Sequence, residues 1–116
     1  MTSYKIWYMR PRYFADGIMG YDFCQGAKRL PDVNNLEATH IKLKEVDAAN
    51  LEAVFLHMQG ENWSPNGKAR SLIDTKGLRH TSMSIGDIVV TGNEVYTCDI
   101  RGFKLLGEQN VTPENA

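Results

Sequence analysis

Most of the side chains able to do chemistry fall in two short polar runs. The first, Asn62-Trp63-Ser64-Pro65-Asn66-Gly67-Lys68-Ala69-Arg70, holds a hydroxyl, two side-chain amides and two cations. Ser64 before Pro65 reads as the cap and first residue of a helix, and the free amides at a helix start attract anions. Trp63 could stack on a flat ring such as a base. The same residues also have a purely structural reading, in which Ser64 only caps the helix and Trp63 only anchors it. The second run, Arg79-His80-Thr81-Ser82-Met83-Ser84, brings a guanidinium, an imidazole and three hydroxyls, groups that bond phosphate or ribose oxygens. In the residues that follow, Gly86 and Asp87 fit a turn that launches a strand, the glycine at positive φ and the aspartate bonding nearby amides. The candidate ligand-binding set is therefore Trp63, Ser64, Asn66, Lys68, Arg70, Arg79, His80, Thr81 and Ser82.

Catalytic chemistry finds less support. Cys98 with His80 could form a nucleophile and base, but Cys98 lies within the strand-like run Val95-Tyr96-Thr97-Cys98, where a thiol behaves as a small buried hydrophobe. The two cysteines, Cys24 and Cys98, show no CxxC spacing and read as reduced thiols. Phosphate-loop, dinucleotide, nucleophile-elbow and zinc-protease motifs are absent, and no pair among the carboxylates is singled out by context. A non-enzyme with no cofactor and no metal is the expectation.

Charge is distributed unevenly along the 116 residues, whose net charge is −1. Residues 1–13 (Lys5, Arg10, Arg12) carry +3, residues 16–61 carry −4, residues 62–86 carry +3 and the remainder −3. If the two basic segments meet, they make a positive patch on an acidic protein, suited to a small anion rather than to a nucleic acid. Arg10-Pro11-Arg12 either joins that patch or forms an exposed strand end. No apolar run is long enough to span a bilayer, residues 1–20 show no signal-peptide pattern, and a cytoplasmic location is expected.

The elements that must position these groups follow from length and pattern. With 42% hydrophobic and 23% charged residues, the chain suits one globular domain that buries about two-thirds of its extended surface. Residues 4–9 and 39–46 read as strands, the second with Ile41 and Leu43 inward. Residues 14–38, rich in Gly, Pro and Asn, read as a long loop, left open as a lid. A helix capped by Asp47 or Asn50 carries the stripe Leu51, Val54, Phe55, Met58 and stops at Gly60. A second helix starts at Ser64-Pro65, buries Ala69, Leu72 and Ile73, and ends at Gly77. Ile88–Thr91, the turn Gly92-Asn93 and Glu94–Asp99 form a hairpin, and Arg101-Gly102 turns into Phe103–Leu106. The prediction is an α+β domain over residues 1–107, an antiparallel sheet of four or five strands with two short helices in the order β-β-α-α-β-β-β. Residues 108–116 are expected to form a flexible tail.

Trp63-Ser64-Pro65-Asn66-Gly67 and Leu78–Val90 together resemble a signature, ENWSPNG…GLxHTSMSVGDVV…YxCxxxGF, of small accessory proteins in phage and bacterial genomes. More distantly, the chain is similar to the YodL-like domain, whose core reads HSLSVSDVV before a strand and GF after the hairpin. The matching positions are His80, Ser82, Ser84, Asp87, Val89 and Gly102-Phe103, within residues 59–106; Gly86 stands where the YodL-like pattern has serine. The resemblance implies a fold and a mobile-element setting (host cytoplasm, if phage-encoded) rather than a reaction. In that setting a non-catalytic protein sequestering a nucleotide-derived immune signal is the leading expectation. The alternative is an inhibitor or adaptor gripping a host protein through Trp7-Tyr8-Met9, Tyr13-Phe14 and the long loop, since aromatics and Met concentrate at interfaces. Neither a membrane nor a nucleic acid is an expected partner, and oligomeric state stays open.

Overall fold

Tyr4, Ile6 and Tyr8 alternate along β1 (Thr2–Met9) toward one face of the sheet, with Trp7 packed on the other. In the computed structural model, which describes residues 1–110, β1 pairs on one side with β2 (His40–Ala48) and on the other with β3 (Ile88–Thr91). β4 (Glu94–Cys98) and β5 (Phe103–Glu108) complete a five-stranded antiparallel sheet in the order β2-β1-β3-β4-β5. The α+β class, the hairpin at Gly92-Asn93 and the third strand after Gly102 match the sequence reading. In β2 a bulge opposite Ile6 and Trp7 resets the alternation. Leu43, Val46 and Ala48 are buried while Ile41 is half-buried.

Five short α-helices accompany the sheet rather than two. One core forms where α3 (Leu51–His57) and α5 (Arg70–Thr75) lay Val54 and Ile73 against Tyr4, Ile6, Tyr8 and Val89. Asn50 caps α3, its side-chain oxygen accepting from the Ala53 amide at 2.9 Å. The opposite face buries Ile88, Val90 and Val95 beneath Leu36 and Val33. Because both faces are covered, Ile88-Val89-Val90 reads as an unbroken apolar run.

Four expectations are corrected. Residues 14–38 are not loop throughout: they fold as α1 (Phe14–Gly17), α2 (Tyr21–Gly26) and a 3-10 turn at Leu36–Ala38, pieces too short to show helical periodicity. Gly60 does not stop α3; it begins α4 (Gly60–Trp63), and its amide donates to Ser82 Oγ at 2.8 Å. The helix expected from Ser64-Pro65 starts instead at Arg70, because Asn66 and Gly67 take φ of +58° and +74° and break the run after one 3-10 turn. Ser64 Oγ accepts from the Ala69 amide at 2.7 Å, five residues on, and not from the first-turn amides of a helix begun at Pro65. The first three residues of the tail expected from Glu108 are held by hydrogen bonds. Glu108 closes β5, Gln109 bonds Asn93 and Val33, and Asn110 bonds Asn34. Residues 111–116 of that expected tail lie outside the described residues.

At Gly86 conformation and surroundings both oppose a side chain, and backbone is among the obstructing atoms. Its φ is +97°, and a Cβ there would lie 3.0 Å from Met9 Cε and 3.3 Å from the Gly17 backbone. Gly86→Ala should therefore cost about 1–3 kcal/mol in urea unfolding. Gly26→Ala, facing open space at an ordinary φ, should leave stability equal or raise it by about 0.5 kcal/mol.

Candidate functional site: a basic cleft beside a buried aspartate

The polar run before β3 folds around one side chain. Asp87 is 1% exposed, and its carboxylate accepts three N–H groups from separate parts of the chain. Oδ1 takes the Met9 amide at 2.8 Å, while Oδ2 takes the Ser84 amide at 2.8 Å and His80 Nε2 at 2.7 Å. A buried carboxylate is tolerated only with such compensation. The Asp87 carbonyl also accepts the Cys98 amide at 2.8 Å, so the residue ties β1, the 80–84 run and β4 together. The turn reading of Gly86 and Asp87 is thus what the backbone shows, with Gly86 left-handed and Asp87 bonding a nearby amide.

His80 lies between Tyr8, stacked at 4.4 Å and 13° to its ring, and Phe14, which meets it edge-on at 5.0 Å. With Nε2 donating to Asp87, Nδ1 is buried and has no partner. Tyr8 closes the cluster by donating its hydroxyl to the Thr81 carbonyl at 2.6 Å. Burial first, then the charge of Asp87, pushes the Tyr8 phenol far above its ordinary range, so it acts only as a neutral donor here. His40, fully buried on β2, places Nε2 2.7 Å from the Gly86 carbonyl, so that nitrogen carries the proton, and Nδ1 accepts from Thr39 Oγ1 at 2.7 Å. Burial holds the His40 imidazole below its ordinary value.

Much of the expected ligand-binding set is used inside the fold. Trp63 Nε1 donates to the Thr81 carbonyl at 2.9 Å, Ser64 Oγ holds Ala69, and Ser82 Oγ holds Gly60. Arg70 pairs with Asp74 one helical turn on and donates to the Arg79 carbonyl at 2.9 Å. Asn66 and Lys68 are exposed on the 3-10 turn and its C-cap. The helix-start amides and stacking Trp63 are therefore not assembled into a pocket. The Cys98 thiol, pushed up to about 12 by burial and by Asp87 and Asp99, is not a thiolate at neutral pH.

What the fold does gather is charge. A cleft of about 690 Å³ is lined by Arg10 and Arg12 from the end of β1 and by Lys76 and Arg79 from the end of α5. These are the two basic segments of the sequence, 64 or more positions apart, facing each other across Ile41 and the single acid Glu37. Arg10 is oriented by donating Nε and Nη2 to the Glu37 carbonyl at 3.2 and 3.0 Å. Lys76 and Arg79 are aimed by the close of α5: the Gly77 amide bonds the Asp74 carbonyl and the Leu78 amide bonds the Ile73 carbonyl, the pattern of a glycine-terminated helix. The cleft meets the C-terminal end of α5, so its positive potential comes from side chains and not from helix amides. Of the expected set only Arg79 lines it; Arg10, Arg12 and Lys76 were legible only through the segmental charge.

No family model, curated protein or solved structure matches this chain. Among the described residues no helix is long and apolar enough to cross a membrane, and no group of three metal-ligating side chains is assembled.

Two outcomes follow from the buried groups. Asp87→Ala should lower the unfolding free energy by about 3–5 kcal/mol, because it leaves three donors without their acceptor. Asp87→Asn should recover little of this, since one of its positions becomes a donor facing N–H groups; chemical denaturation followed by Trp fluorescence reads both. For His40 the folded value lies below the unfolded one, about 6.5, so acid protonates the unfolded chain first. The stability its neutral ring contributes is complete above that pH and falls as pH drops below it. Between pH 7 and 5.5, His40→Gln should flatten the decline in denaturation midpoint.

Proposed function

We propose that this protein binds a compact, multiply charged anion in the Arg10–Arg12–Lys76–Arg79 cleft and does not transform it. The observation that carries this reading is the convergence of four cations from two distant segments on one concavity holding a single carboxylate. Cations held by low-dielectric walls concentrate a small anion more effectively than scattered surface charges do. No activated nucleophile faces the cleft. Phosphate-bearing molecules fit the guanidinium geometry best, because Arg presents paired donors to phosphate oxygens. The resemblance to phage and YodL-like accessory proteins adds a setting in which such an anion is a nucleotide-derived immune signal held out of circulation.

A second reading, a grip on a host protein, keeps only the long-loop part of the surface the sequence suggested. Tyr8 and Met9 are buried and Trp7 is packed under the sheet, so that stretch is not an interface. The α1–α2 segment instead exposes Ile18, Met19 and Phe23, and Ile100 packs against Gly20 beside it.

Isothermal titration with inorganic pyrophosphate, cyclic dinucleotides and ADP-ribose should yield saturable heat with at least one of them. Arg79→Glu and Lys76→Glu should each weaken that binding by about tenfold or more, while Trp63→Phe leaves it unchanged. Affinity should fall only modestly with added salt, as expected of a compact site rather than a polyanion track. No heat with any of the panel, together with a stoichiometric protein captured from host lysate, would favour the second reading.

A further inference from the structure

We infer that the chain carries a second, separate binding site, a partly open cavity for an uncharged, ring-bearing apolar molecule between the α1–α2 segment and the end of the sheet. The cavity measures about 340 Å³, within the range of small-molecule pockets. Its roof is Tyr21, Cys24 and Leu30; its floor is Met9, Thr97 and Cys98. Most of the polar groups around it already have partners within the protein. Asp16 and Arg29, the two charged residues in the wall, form an ion pair with each other. The Cys24 thiol donates to the Asp16 carbonyl at 3.2 Å, and Thr97 Oγ1 donates to the carbonyls of Asp87 and Cys98 at 3.4 Å. A charged or strongly polar guest would lose water there without gaining a free partner, whereas an apolar one loses nothing.

The roof is set over the floor by packing at one edge, where Gly17 lies against Met9 and Gly86, and by hydrogen bonds elsewhere. The Tyr21 amide donates to Asp99 Oδ1 at 3.0 Å, the Arg29 amide donates to the Cys24 carbonyl at 2.8 Å, and the Asp16–Arg29 pair spans the segment. The sheet end is fixed in turn by the Gly86–Cys98 bond at 2.9 Å. An apolar guest that fits this space would gain dispersion contacts with its walls and remove apolar surface from water.

The neutral fluorophore N-phenyl-1-naphthylamine tests the site on the full chain. A saturable fluorescence rise at one equivalent, a raised thermal midpoint and intermolecular NOEs to the Tyr21 and Leu30 side chains are expected. Cys24→Phe and Leu30→Trp, which fill the space, should weaken binding by about tenfold or more where far-UV circular dichroism matches the parent. Excess pyrophosphate should not displace the probe. Absence of a saturable rise, NOEs to other side chains, undiminished binding in the folded, filled variants, or displacement by pyrophosphate would overturn the proposal; the NOE measurement decides even if both variants misfold.

Discussion

The carboxylate of Asp87 is the constraint on which the rest of the molecule hangs. Once it is removed from water, its two oxygens must be met by donors, and the donors it finds come from positions 9, 80 and 84. Meeting them fixes where the end of β1 lies against the run that precedes β3. Arg10 is the next residue after Met9, and Arg79 is the residue before His80. A bond made for burial therefore sets two cations on opposite walls of one cleft. The HTSMSxGD stretch does its work one residue away from the groups it positions.

This division explains how much could be read from the residues alone. The strands were legible because β-branched and aromatic residues alternate in them, and α3 because Asn50 and its apolar stripe agree. The hairpin at Gly92-Asn93 was legible because few other residues take that turn. The short helices of residues 14–38 were not, since four or six residues cannot display a repeat of 3.6. Ser64-Pro65 misled because the local signature is that of a helix start, while Asn66 and Gly67 turn the chain left-handed immediately after it. The candidate site shows the same pattern. Segmental charge pointed to two basic stretches, but their meeting depends on long-range pairing that no local window contains. The hydroxyls and imidazole of residues 80–84 looked like ligand groups because the chemistry that holds a buried carboxylate is the chemistry that holds a phosphate.

The sheet separates the two candidate sites from each other in character. The cleft is charged, open and built from the ends of β1 and α5. The cavity beneath α1 and α2 is apolar and has its own charges paired off. Residues 10–13, which link β1 to α1, contribute Arg10 and Arg12 to one and Tyr13 to the other.

The position of β1 also governs how the chain reaches this state. Within this sheet the first strand in sequence lies between β2 and β3, and Lys5 faces Val90 across the latter pairing. That seam joins residues up to 85 positions apart in the chain. Closing so long a connection carries a large entropic barrier, which makes this a topology of slow maturation whose half-built sheet is open to stray strand pairing.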